Sequence, residues 1–157
     1  MEYEKWIRFI LRQLGIGRSY QGYDYIVDGV LLVLEDASRL EFVTKSLYPD
    51  IAKKHHTSWN CVERNIRTVI DILWKESSKE LLWEICGEEN AERPRNARFL
   101  ELLCEYVKRL ESAEYAMTAE DGCFMEKPGD CFCPESGNYC ERLAILRKQI
   151  AYLKRER

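Results

Sequence analysis

Residues 44–74 read Thr-Lys-Ser-Leu-Tyr-Pro-Asp-Ile-Ala-Lys-Lys-His-His-Thr-Ser-Trp-Asn-Cys-Val-Glu-Arg-Asn-Ile-Arg-Thr-Val-Ile-Asp-Ile-Leu-Trp, and this stretch decides the fold. Pro49 suits the first turn of a helix, where its missing N–H is not needed. Ile51 and Ala52 fall on an inward face, and Lys53 and Lys54 reach the last turn, where they complement the negative helix end. His55 and His56 make a turn, and Thr57 or Ser58 can cap the next helix by accepting from a free backbone N–H. Val62, Ile66, Val69, Ile70 and Leu73 then recur at steps of three and four, which puts them on one buried face. Asn60, Arg64, Arg67 and Asp71 point away from that face, with Cys61 and Glu63 on its flanks. A short helix, a tight turn and a longer helix with a dry back and a front of Asn and Arg have the layout of a helix-turn-helix. The major groove of double-stranded DNA accepts such a helix, because arginine pairs bidentately with guanine and asparagine with adenine. The surface of a helical bundle carries solvated arginines in the same way, and the pattern alone leaves both readings open.

Outward from this stretch the periodicity stays helical, which predicts an all-α chain. Residues 2–14 place Trp6, Ile10 and Leu14 on one side and stop at Gly15, which permits a left-handed cap. Residues 20–35 form a strongly apolar helix through Ile26, Val30, Leu31 and Leu34, and residues 38–47 a third with Leu40, Val43 and Leu47 inward. A short helix at 79–86 carries Leu82, Trp83 and Cys86, and Pro94 breaks the chain before another helix at 96–116.

The segment Leu47-Tyr-Pro-Asp-Ile-Ala-Lys-Lys54, followed by Val62-Glu-Arg64 and Ile66-Arg67, closely resembles the C-terminal DNA-binding domain of the master response regulator of sporulation in spore-forming Gram-positive bacteria. The similarity reaches upstream through Leu14-Gly-Ile16 and Gly22-Tyr23-Asp-Tyr25, and downstream to Trp74 and Arg93-Pro94-Arg-Asn96-Ala-Arg-Phe99, so it spans roughly residues 7–110. The resemblance implies an all-helical effector domain that binds a short promoter box, one protomer on each of two adjacent boxes. It also implies DNA contacts from Asn60, Cys61, Glu63, Arg64 and Arg67; in a DNA-binding hypothesis built on it, Lys53, Lys54 and the Ser58 cap are expected to hold phosphates. Three features depart from the family. Cys61 stands where the family has an arginine, Trp59 replaces a small residue, and a phosphorylatable receiver domain ahead of the first helix is not expected.

Composition fits a small module. No apolar run approaches the length of a bilayer span and the N-terminus has no secretory pattern, so a cytoplasmic protein is expected. A net charge of -3 is unusual for a DNA binder, whose footprint is normally basic. The charge is uneven, however. Residues 45–70 hold five Lys/Arg against two Asp/Glu, and residues 76–92 hold six Glu against one Lys, a run read as a solvated face. An enzyme is not expected: there is no phosphate-cradling glycine loop or nucleophile motif, and the two histidines are adjacent in one turn that reads as solvated.

The expected division is a helix-turn-helix domain over residues 1–112 and a Cys-rich loop plus C-terminal amphipathic helix over residues 113–157. Cys123, Cys131, Cys133 and Cys140 have the spacing C-x7-C-x-C-x6-C. Four thiolates suit a tetrahedral zinc, but paired C-x-x-C knuckles are absent, and disulfides or unligated cysteines are the alternatives. Leu100, Leu103, Val107 and Leu110 form one seam and Leu143, Leu146, Ile150 and Leu153 another. These can close as a hairpin, pack back on the domain or pair with a second chain as a homodimer. Two functions follow from these readings. One is a DNA-binding transcriptional regulator with its recognition helix at about residues 58–74. The other is a receiverless relative that reads no DNA and acts on another protein, for example a full-length family member.

Overall fold

Trp6, Ile7, Ile10, Leu11 and Leu14 are buried along one side of the first helix, α1 (Glu2–Gln13), and Gly15 ends it at φ 84°, the left-handed cap its sequence calls for. The computed structural model of the chain describes residues 2–77, 79–89 and 91–118. These form six α-helices and no strand: α1, α2 (Gln21–Glu35), α3 (Tyr48–Lys54), α4 (Trp59–Glu76), α5 (Lys79–Cys86) and α6 (Asn96–Thr118). The chain divides into two compact units, Met1–Val107 and Lys108–Arg157, and the core described here belongs to the first.

α2 is the central helix of that unit. Tyr23, Tyr25, Ile26, Val27, Val30 and Val33 are all buried, and α2 packs more extensively on α4 than any other pair of helices among the described residues. α4 answers with Val62, Ile66, Val69, Ile70 and Leu73, the stripe its three-four spacing predicts. Phe99 at the start of α6 meets Trp74 of α4 edge to face, with ring centroids 6.1 Å apart. The Cys104 thiol of α6 lies 3.6 Å from the Val30 carbonyl of α2, so this cysteine is core filler, as expected for a buried thiol.

The segment expected as a third regular helix, residues 38–47, is not one. Asp36 accepts from the Ser38 backbone N–H at 3.0 Å and from its hydroxyl at 2.7 Å, and this local bonding starts a 3-10 turn at Ala37–Leu40. Phe42 then leaves helical geometry at φ −128°, and a π turn at Val43–Leu47 runs directly into α3. Only Leu47 of the three expected core residues is fully buried; Leu40 and Val43 are half-buried. The apolar spacing is right, but the Asp-x-Ser turn competes with the α-helix and wins.

Cys123, Cys131, Cys133, Cys140 and the expected C-terminal helix lie outside the described residues. Among the described residues there is no group of three His, Cys, Asp or Glu able to hold a metal, and no helix long and apolar enough to cross a membrane.

Two glycines of α2 separate packing from flexibility. A Cβ at Gly22 would stand 2.4 Å from the Asn65 carbonyl oxygen and 2.7 Å from Val69 Cγ2, whereas one at Gly29 would meet Ile51 and Leu100 at an ordinary 3.4 Å. Gly22→Ala is therefore expected to destabilise the fold by about 1–3 kcal/mol, as overpacking does. Gly29→Ala is expected to be neutral or to stabilise by up to about 1 kcal/mol through the unfolded chain. Urea unfolding followed by circular dichroism checks both.

Candidate nucleic-acid interface

α3, the turn His55–Ser58 and the front of α4 make the candidate surface. Tyr48, Ile51 and Ala52 seat α3 in the core. Burial raises the Tyr48 phenol above its ordinary pKa, and a hydrogen bond with Asn96 pulls it partly back. Asn96 also donates from Nδ2 to the Glu63 carbonyl at 3.0 Å, so the first residue of α6 ties α3 and α4 together.

The turn is closed by backbone bonds from His55 N–H to the Ile51 carbonyl (3.1 Å) and from Thr57 N–H to the Ala52 carbonyl (2.9 Å). His56 takes a left-handed φ of 51°, a conformation that side chains other than glycine seldom adopt. Of the two candidate caps, Ser58 is the one used: its hydroxyl accepts from the Cys61 N–H at 3.3 Å. Burial and the nearby Cys61 raise the Tyr25 phenol above its ordinary pKa, and a hydrogen bond with Thr57 pulls it partly back.

On α4, Asn60, Arg64 and Arg67 are exposed and Cys61 and Glu63 are half-buried, in the arrangement the helical wheel predicts. Electrostatically these side chains are not equivalent. The Arg64 guanidinium has no partner among the described residues; only its backbone carbonyl is used, by the Thr68 hydroxyl at 2.9 Å. Arg67 is paired with Glu63 one turn back. Arg93, from the loop before α6, binds the Asp71 carboxylate and reaches the Arg67 carbonyl at 3.4 Å. Cys61 is held from the side, with the Asn65 amide donating to its carbonyl at 2.8 Å and lying 3.2 Å from its sulfur. Trp59, in the first turn of α4, is 42 % exposed.

The two lysines differ as well. Lys53 is exposed and has no partner among the described residues, whereas Lys54 Nζ lies 2.7 Å from Asp28 Oδ1. His55 corrects the expectation of a solvated turn. It is half-buried, its Nε2 is 2.6 Å from Asp28 Oδ2, and its ring meets Tyr25 edge-on at 4.9 Å; of the two histidines only His56 is exposed. Sequence reasoning missed Asp28, Asn65 and Asn96. The available signal was Asp28 itself, a carboxylate inside an apolar helical run, where a charge persists only if paired.

Elsewhere, an open cleft of about 420 Å³ is lined by Cys86, Glu88, Glu92, Arg93, Arg98 and Leu102. Its two arginines are already bound to Asp71 and Glu101, and burial with the nearby Glu88 raises the Cys86 thiol pKa, which keeps it protonated. That chemistry offers no activated nucleophile.

An all-helical domain carrying this surface is the class of protein defined so far. Residues 7–107 match the family described as Sporulation initiation factor Spo0A C terminal, and the chain belongs to that family. It is a family of DNA-binding effector domains and not of enzymes, and no receiver domain is found within the 157 residues.

The cap generates a direct check. Ser58→Ala is expected to lower stability by about 0.5–2 kcal/mol, read as a fall in melting temperature, since the Cys61 N–H then loses its side-chain acceptor.

Proposed function

We propose that this chain is a DNA-binding transcriptional regulator of the cytoplasm, and that α3, the His55–Ser58 turn and α4 act as a helix-turn-helix on double-stranded DNA. The observation that carries the reading is the exposed, unpaired Arg64 on the outer face of a helix whose back is fully buried, in a member of a DNA-binding family. In this reading α4 enters the major groove. Arg64 addresses a guanine edge and Asn60 an adenine edge. Arg67 joins after leaving Glu63, at small cost, because an exposed i,i+4 pair is worth only about 0.3–0.5 kcal/mol. Lys53, Lys54 and the Ser58 end of α4 take phosphates, and Cys61 and Glu63 flank the base-reading edge. Reading is assigned to residues 1–112, with residues 113–157 as an appendage.

A second reading rests on the exposed Trp59. A large apolar side chain on the first turn of α4 also suits a protein partner, such as a second copy or another member of the family. Fluorescence anisotropy separates the two, using a duplex with the sporulation regulator's promoter box against a scrambled duplex across a salt series. Arg64→Ala is expected to weaken box binding by about 1–3 kcal/mol and Arg67→Ala by less, with unchanged melting. Wild-type affinity in a folded variant lacking both arginines rejects the assignment.

A further inference from the structure

Asp28 lies in the middle of α2 among Ile26, Val27, Val30 and Val33, and its side chain is only 10 % exposed. A carboxylate removed from water to that degree persists only when its oxygens are met. Each oxygen has a different partner here: Lys54 Nζ at 2.7 Å from Oδ1 and His55 Nε2 at 2.6 Å from Oδ2. The partners are consecutive, the last residue of α3 and the first of the turn. One buried group on α2 therefore fixes both where α3 stops and the direction in which Lys54 leaves it. Tyr25, also on α2, steadies the imidazole from a second side.

The Lys54 side chain is nonetheless 64 % exposed. An ammonium has three donors, so with one on Asp28, two remain for an oxygen from outside. Lys53 has no such tether among the described residues and must lose its rotamer freedom when it binds.

We infer that Asp28 is a positioning residue for DNA binding, holding Lys54 as a pre-ordered anchor for a backbone phosphate beside the recognition helix. The inference rests on the DNA-binding reading above. It makes a prediction opposite in sign to simple charge counting. Removing a carboxylate next to a phosphate should tighten binding if only net charge matters; if Asp28 positions Lys54, removing it loosens binding.

The test is anisotropy on the promoter-box duplex over a salt series, with wild type, Asp28→Asn, Lys54→Gln, their double variant and Lys53→Gln, each checked for folding by circular dichroism. Gln at position 54 keeps a donor for Asp28 while losing the charge. Asp28→Asn is expected to weaken binding about three- to tenfold. Lys54→Gln is expected to reduce the salt slope by about one phosphate in the wild-type background, and by much less in the Asp28→Asn background. Affinity of Asp28→Asn equal to or tighter than wild type overturns the inference, as does a Lys54→Gln effect undiminished in the double variant. If Asp28→Asn does not fold, the two lysines decide on the intact carboxylate. Lys54→Gln must then weaken binding at least about threefold more than Lys53→Gln, and equal effects overturn the inference. A wild-type protein that binds neither box nor scrambled duplex at low salt overturns the DNA-binding reading itself, which is a distinguishable result.

Discussion

The close approach of α2 to α4 at Gly22 is the constraint on which the rest of the first unit depends. With no side chain at that position, the backbone of α2 lies directly against the Asn65 carbonyl and the Val69 side chain. α4 can then neither rotate nor lift without opening the largest helix contact in the unit. That contact faces Val62, Ile66, Val69, Ile70 and Leu73 inward, and the geometry of a 3.6-residue helix sends Asn60, Arg64 and Arg67 outward. The chemistry of the front of α4 is thus set by how closely its back is packed, and small residues at the contact are what allow a rigid presentation.

Electrostatics on this surface is a matter of local pairing more than of net charge. The protein is acidic overall, at -3, yet the carboxylates near α4 are mostly engaged: Glu63 by Arg67, Asp71 by Arg93 and Asp28 by Lys54 and His55. The exposed pairs are weak and screened by salt, so Arg67 can leave Glu63 at small cost. Asp28 is different because it is buried: its partners cannot leave without stranding a desolvated carboxylate. Two kinds of ion pair therefore coexist within one short motif, one exchangeable and one structural, and burial separates them.

Much of this was legible in the sequence because it is local. Periodicity located the buried stripe of α4, Pro49 the start of α3, Gly15 the end of α1, and the wheel placed Asn60, Arg64, Cys61 and Glu63 correctly. What escaped depends on partners distant in the chain. His55 reads as a turn residue until Asp28, 27 positions earlier, is brought against it. Asn96 reads as an ordinary helix start until it reaches the Glu63 carbonyl across 33 residues. The segment 38–47 departs from a regular helix for a local reason: its apolar spacing is helical, but Asp36 bonds Ser38 and starts a 3-10 turn. The rivalry between Thr57 and Ser58 for the cap turns on where the backbone enters the helix: α4 starts at Trp59, so Ser58 is its N-cap and its hydroxyl takes the Cys61 N–H.

Cys61 concentrates the question of what this member of the family reads. A thiol cannot reproduce the bidentate grip of the arginine that the resemblance expects there. The structure adds that Cys61 is half-buried against Asn65, at the side of the helix toward Tyr25 and away from the arginine front. The loss of the arginine therefore leaves no gap in the outward row; it removes one flank of it. Asn60 and Arg64 lie one turn apart on the remaining edge, a narrower front than a helix with a third guanidinium would present. In the DNA-binding reading proposed above, fewer side chains able to discriminate bases would leave a larger share of the binding free energy to phosphate contacts. On that reading, the tie between Lys54 and the buried Asp28 gains weight, because a phosphate anchor ordered from within the core offsets part of what the missing guanidinium would contribute.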